Sequence, residues 1–499
     1  MNYSIIVYIL GWVLNIEAAA MLLPCVVALI YGETAQLFSF LITVAVSFIV
    51  GLLMHLKKPK NTKFYAKEGF AVVALSWIVI SLVGAVPFVL SGDIPSYISA
   101  LFETVSGFTT TGSSNLTDVE VLSKAALFWR SETHWIGGMG VLVFLLTIVP
   151  MVGGHSMQLM KAESPGPVVD KLRPRIRHTA VILYVMYLVL TVVECILLLI
   201  GGMPLFDAIC LSFGTAGTGG FAVTNAGVGG YNNVYFEMVI AVFMVLFGIN
   251  FGIYYMLLTK RFKEALKNEE MRTYLVIVTV AIIAVSLNVY SIYGSVGETL
   301  RRSFFTVASI ISSTGYGTAD FNLWPGFSKM LIILLMFCGA CAGSTGGGMK
   351  VARIMILVKS AFTEIDHTIH PKSITTVKMD GKKVSGETVK NVRAYFILEM
   401  MIIAVSMIIV SFDNFEFAVN TTSVITCMHN IGPGLGAIGP VGNFADFSVL
   451  SKLVLIFDML AGRLEIMPLL VFFSAGIWGR TKRKKDSKES RIIKKEKLI

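Results

Sequence analysis

The sequence has little charge. Asp, Glu, Lys and Arg make up 14% of its 499 residues, against about 25% in soluble domains. No stretch is long and polar enough to form a separate soluble domain. Its seven histidines are scattered, and few acids lie inside apolar runs. A membrane-embedded enzyme needs His, Asp and Glu clustered at one depth, so that class is excluded. No nucleotide-hydrolysis motif occurs. Gly343-x4-Gly348 is followed by Met349-Lys350, where a phosphate-binding loop needs Lys and then Ser or Thr. The six cysteines include one C-x-x-C pair, Cys338 and Cys341. It sits in a Gly/Ala-rich apolar segment with no second pair, so these read as small packing residues rather than a metal or redox site. Met1–Ser4 holds no basic residue, so the first apolar run reads as a retained helix and not a cleaved signal.

What is present is apolar length. Hydrophobic residues make up 55% of the chain and the mean hydropathy is +0.76. Runs long enough to span a bilayer, about 20 residues each, recur throughout. The chain reads as a multi-pass protein of a bacterial or archaeal plasma membrane, in contact with lipid. The net charge of +10 is gathered at Lys57–Lys67, Lys161–Arg177, Lys260–Arg272, Lys350–Arg393 and Arg480–Lys497. Between these clusters stand Asp93, Glu103, Asp118, Glu120, Asp207, Glu237 and Glu298. The positive-inside rule places the basic clusters in the cytoplasm. That accounts for them better than nucleic-acid binding does, and no nucleic-acid partner is expected.

A short glycine-centred motif recurs four times at nearly even intervals: Thr110-Thr111-Gly112, Thr215-Ala216-Gly217, Ser313-Thr314-Gly315 and Asn430-Ile431-Gly432. Each copy has the same surroundings. An apolar helix precedes it (70–90, 179–201, 273–293, 393–412). A short amphipathic segment leads into it (97–109, 204–214, 299–312, 417–429). A second apolar helix follows (124–150, 233–258, 328–358, 446–477). The expected fold is therefore all-α and polytopic: four helix–pore-helix–loop–helix repeats about a pseudo-fourfold axis, plus two N-terminal helices. The units are the N-terminal pair (1–65), repeat 1 (66–160), repeat 2 (161–265), repeat 3 (266–365), repeat 4 (366–480) and a basic tail (481–499). All four motifs then lie towards the external side.

Non-helical backbone at membrane depth is tolerated only where it is buried or lines water. Glycine permits the turn that points successive carbonyls one way, and a ring of carbonyls can replace a cation's water shell. Half-helices entering from outside aim their partly negative C-termini at that ring, which also favours a cation.

The repeat plan, the run Asn430-Ile431-Gly432-Pro433-Gly434-Leu435-Gly436, the segment Gly343–Lys350 and the run Ala461-Gly462-Arg463-Leu464-Glu465-Ile466 resemble the Trk/Ktr/HKT superfamily of potassium transporters. The leading helix pair makes the chain similar to the TrkH branch rather than the shorter KtrB branch. The resemblance implies potassium uptake with K+ as the transported ion and no covalent cofactor. It also implies a homodimer and a cytoplasmic nucleotide-binding (RCK) subunit of the TrkA type. In that superfamily glycine at all four filter positions goes with potassium, and serine at the first with sodium-permeable members. A sodium-permeable or sodium-coupled transporter of the same fold remains the alternative, and the resemblance leaves channel or symport undecided.

Two gates are expected. Gly343, Gly346, Gly347 and Gly348 lie in a run too glycine-rich for a continuous helix, at roughly 1 kcal/mol per glycine against alanine. A broken helix with an irregular loop under the filter is expected, and the family has an intramembrane gating loop there. Close packing through small residues is the plainer alternative. Arg463 lies mid-span in the last apolar helix, where an embedded arginine usually faces an internal cavity. In the family the matching arginine constricts the pore. Glu103 has two open readings, holding its loop or attracting cations. His134-Trp135 reads as an interface anchor, with proton coupling by His134 as the lesser alternative. The basic tail reads as a solvated membrane-adjacent segment or a contact for the regulatory partner.

Overall fold

The structure, a computed structural model, describes residues 1–56, 58–59, 66–152, 176–373 and 375–473. The basic cluster at 480–497, most of those at 57–67 and 161–177, and the expected boundaries near 65, 160 and 480 lie outside the described residues. Among the described residues the regular structure is helical apart from a two-residue-per-strand antiparallel hairpin, Lys378–Met379 with Lys382–Lys383. Asp380 and Gly381 at its turn both have positive φ, 49° and 72°, as a tight hairpin requires. Six described helices are long and apolar enough to cross a membrane, or seven if the bent pair Val234–Phe247 and Phe251–Leu258 is one span. They expose large apolar side chains on their outer faces, among them Phe38, Leu53, Leu287 and Ile408. A surface of this kind is stable against lipid, not water.

Tyr3–Tyr31 and Thr34–His55 form the leading pair. They approach closely where Gly11 lies against Gly51, a small-residue contact that lets backbones meet in a membrane. Four units of like order follow. Each has a long apolar helix: Ala66–Gly84 running into Val86–Ser91, Ile176–Ile200, Glu269–Tyr293 and Gly386–Val410. Each then has a short helix: Tyr97–Phe108, Leu205–Gly217, Val296–Ile311 and Phe417–Met428. The short helices are enclosed, since residues of every type along their last two turns, such as Thr104, Ser106, Ser309 and Thr426, are buried. The expected unit boundary at 365 falls inside the helix Val351–Ile369.

Two of the four second helices, in the second and fourth units, depart from expectation. Only the first, Lys124–Val152, is continuous. The second breaks with a 90° bend between Phe247 and Phe251, where the Asn250 side chain accepts the Gly252 N–H at 2.7 Å and caps the new helix. The third ends at Cys338 and restarts at Val351, the interruption expected from its glycines. The fourth ends at Arg463 and restarts at Ile466, with Glu465 at φ 57° between the pieces. The expectation of continuous helices over 233–258 and 446–477 is therefore corrected. Arg463 is the last residue of a helix rather than the middle of a continuous one, and its charge meets the partly negative helix end.

Candidate functional site

The four short helices end in one backbone geometry. Thr110, Thr218, Ser313 and Asn430 take left-handed φ values of 55°, 55°, 59° and 54°. Their N–H groups donate to the carbonyls of Gly107, Thr215, Ile310 and Cys427. The next N–H in each case, from Thr111, Gly219, Thr314 and Ile431, donates to Ser106, Gly214, Ser309 and Thr426. This paired bonding is the Schellman termination of a helix. Two residues beyond each left-handed position comes a glycine of positive φ: Gly112 (80°), Gly220 (79°), Gly315 (85°) and Gly432 (102°).

This geometry corrects one motif. Thr215, Ala216 and Gly217 lie in the last turn of the helix Leu205–Gly217 and do not line the ring. Thr218, Gly219 and Gly220 take the matching places. The sequence offers Thr-x-Gly twice in succession, and only the helix end selects the second. The other three triplets, Thr110-Thr111-Gly112, Ser313-Thr314-Gly315 and Asn430-Ile431-Gly432, stand where the motif places them.

The four loops close on one another. A Cβ on Gly112 would strike the carbonyl oxygen of Gly219. On Gly220 it would strike that of Thr314, and on Gly315 that of Ile431. A Cβ on Gly432 would come within 2.9 Å of the Thr111 carbonyl oxygen. Each glycine thus lies against the carbonyl before the next glycine around, and the fourth returns to the first. Side chains fasten this ring. Asn430 Nδ2 donates to Thr111 Oγ1 and to the Met459 carbonyl, both at 2.9 Å. Ser113 Oγ donates to the Gly432 carbonyl at 3.3 Å. The Tyr316 hydroxyl donates to the Leu211 carbonyl at 3.0 Å.

Glu103 holds its loop. It pairs with Arg130 at 2.7 Å, both side chains almost fully buried, and it accepts from Ser114 Oγ at 2.9 Å and Asn115 N–H at 3.1 Å. Arg130 also stacks on Phe221 at 4.1 Å and donates to the Ala222 carbonyl at 3.3 Å, joining the first loop to the second. His134 makes a similar join. Its Nδ1 lies 2.8 Å from the Gly107 carbonyl, which can only accept, and its Nε2 accepts the Phe221 N–H at 3.2 Å. That pair of partners fixes a neutral ring protonated at Nδ1, which fits a structural brace and leaves no site for a second proton. Arg302 holds the third loop by donating to the Thr318 carbonyl at 2.6 Å, and it lies 3.4 Å from Glu237. Sequence reasoning named neither Arg130 nor Arg302. Each pairs with an acid on a different helix, a relation that spacing does not show.

Beneath the ring lies the irregular segment 339–350. Gly347 donates its N–H to Ser313 Oγ, and a Cβ there would strike the His429 carbonyl. Gly346 packs against the Ser312 carbonyl in the same way. Gly343 donates no side chain but offers its carbonyl to the Phe251 N–H at 3.0 Å, and Cys341 donates its N–H to Gly248 at 3.0 Å. The segment is thus docked into the break of the second unit's helix. Gly348, at φ 76°, meets Gly339 across the neck of the segment. Arg463 approaches from the fourth unit. Its Nη1 donates to the Thr345 carbonyl at 2.9 Å and its Nη2 to the Gly137 carbonyl at 2.7 Å. It ties the third unit's segment to the first unit's helix, across the axis. A cavity of about 110 Å3, room for several waters, remains between the segment, Arg463 and the fourth loop. Lys350, Arg353 and Arg463 all border it, with Glu465, so positive charge prevails there. Among the described residues no group of three or more His, Cys, Asp or Glu has metal-ligand placement.

The match to a family of cation transport proteins named TrkH covers residues 36–479. A Trk system potassium uptake protein TrkH of Salmonella typhimurium is 36% identical over 96% of this chain and all of that protein. The Trk system potassium uptake protein TrkG of Escherichia coli K12 is 32% identical over 96% of this chain and 99% of its own length. The crystal structure of the potassium transporter TrkH from Vibrio parahaemolyticus superposes with a TM-score of 0.86. It shares 30% identity and covers 96% of this chain and all of that one.

Proposed function

The chain belongs to the TrkH family of cation transport proteins, and on that premise we propose that it carries potassium ions across the plasma membrane through the ring of four loops. The names of the relatives as potassium uptake proteins support the ion. The observation that carries the reading is the closure of Gly112, Gly220, Gly315 and Gly432 against one another's neighbouring carbonyls. Backbone oxygens gathered on one axis suit a dehydrated monovalent cation. With Gly220 in place of Gly217, all four ring positions are still glycine, the pattern that goes with potassium in the superfamily.

The segment 339–350 is the gate of this pore, with Arg463 as its bolt. It lies directly under the ring, and polar contacts to Ser313, Arg463 and the broken helix of the second unit hold it there. Positive charge on Arg463 opposes a cation in the closed state. The protein works as a homodimer with a cytoplasmic nucleotide-binding partner of the TrkA type, since the chain carries no nucleotide motif of its own. The repeat units, with the third ending at Ile369, each supply one quarter of the ring.

Radiolabelled rubidium uptake into proteoliposomes holding the chain tests this, with potassium or sodium as competitor. Block by potassium but not sodium, weakened in Gly112→Ser and in Gly220→Ser, is expected. Equal block by both ions in the parent protein assigns it to the sodium-permeable class.

A further inference from the structure

Glu270 lies in the first turn of the helix Glu269–Tyr293 and is 7% exposed. Its Oε1 accepts the N–H of Ala342 at 2.6 Å and the N–H of Ala352 at 3.2 Å. Ala342 belongs to the entry side of the segment 339–350. Ala352 is the second residue of the helix that leaves it. One carboxylate oxygen therefore joins both ends of the segment.

The sequence around the exit explains why an outside acceptor is needed. The helix Val351–Ile369 begins after Lys350, which has φ 75° and gives no side-chain cap. The first-turn N–H groups of a helix have no partner within it. Val351 finds the Ala340 carbonyl at 3.1 Å, and Ala352 finds Glu270. An anion at that end also meets the partly positive end of the helix dipole. A cap that most helices draw from their own preceding residue is here supplied by the first helix of the same unit.

We propose that Glu270 is a positioning residue, a latch that holds the segment closed by fixing both its ends. This rests on the reading of 339–350 as the gate. The latch stands one residue from an exposed contact. Glu269 accepts the Asp380 N–H at 3.0 Å, donates its own N–H to Asp380 Oδ1 at 2.7 Å and pairs with Lys359. Displacement of the hairpin 378–383 therefore acts on the turn that carries Glu270.

The test uses the full chain in proteoliposomes with Glu270→Ala and Glu270→Gln. Rubidium flux is read beside the alkylation rate of Cys341, in a background where Cys25, Cys195, Cys210, Cys338 and Cys427 are replaced by serine. Cys341 is fully buried within the segment, so its reactivity reports the segment's release. Loss of a charged acceptor shared by two N–H groups is expected to raise flux and alkylation roughly tenfold or more in the Ala variant. Gln keeps an acceptor oxygen without the charge and should fall between Ala and wild type. A merely structural role lowers flux and folded yield together and does not give that order. Unchanged flux and alkylation in Glu270→Ala overturns the latch. Deletion of Gly346–Gly348 separates the two readings. If the deletion raises flux and Glu270→Ala does not, the gate stands and the latch is wrong. If neither raises flux, the gate reading fails and the latch with it.

Discussion

Replacing Arg463 by alanine should open the pore. The side chain makes one bond to the proposed gate, to the Thr345 carbonyl at 2.9 Å, and one to a fixed anchor, the Gly137 carbonyl at 2.7 Å. Only the first holds the segment in place, while the second aims the guanidinium. A hydrogen bond from a charged donor contributes about 1.5–3 kcal/mol net. Loss of the Thr345 bond then shifts the closed-to-open equilibrium by roughly 10- to 150-fold at 1.4 kcal/mol per decade. Removing a positive charge beneath the ring acts in the same direction. Lysine keeps the charge but lacks the planar fork that reaches two carbonyls at once, so Arg463→Lys should give an intermediate rise. The assay is rubidium uptake into proteoliposomes at equal reconstituted protein, beside a thermal-unfolding measurement that checks folding. Flux unchanged in Arg463→Ala, with folding intact, refutes the bolt.

Gly220→Ala should weaken potassium-over-sodium discrimination, because it forces a side chain into a left-handed φ at about 1–2 kcal/mol and against the Thr314 carbonyl. Thr215→Ala should leave discrimination unchanged in the same competition assay. The opposite result would restore the motif one turn earlier. Asn430→Asp puts an acceptor where the Nδ2 group donates to Thr111 and Met459, so it should abolish selective uptake while Asn430→Ser retains part of it. Arg130→Ala leaves Glu103 buried without its charge partner, which should lower unfolding stability by about 3–5 kcal/mol. An unchanged melting temperature would refute that.

The helices were legible in the sequence because apolar runs of spanning length leave little choice. The interruption at 339–350 was legible as well, since consecutive glycines argue against helix. The break at Gly248–Asn250 was less so. Asparagine two residues after a glycine is a cap signal, but it is short and lies inside an apolar run. The break at Glu465 has no local signal, because a glutamate in left-handed backbone is held there by surroundings, including its pairing with Arg353. The second loop was misplaced because Gly217, Gly219 and Gly220 all satisfy a glycine motif. The choice depends on where the helix runs out of bonding partners. Glu270, Arg130 and Arg302 were missed for one reason: each acts on a distant stretch of chain, and one sequence carries no record of such pairings.

The ring is assembled from four unlike quarters of one chain. Its left-handed corners are two threonines, a serine and an asparagine, and the side chains of Thr218, Ser313 and Asn430 bond to different groups. In a pore made of four identical subunits, any replacement alters every corner at once, and a mild defect is multiplied. Here a single codon changes a single corner and leaves three intact. If the ring is the filter proposed above, its ion preference can be altered one quarter at a time.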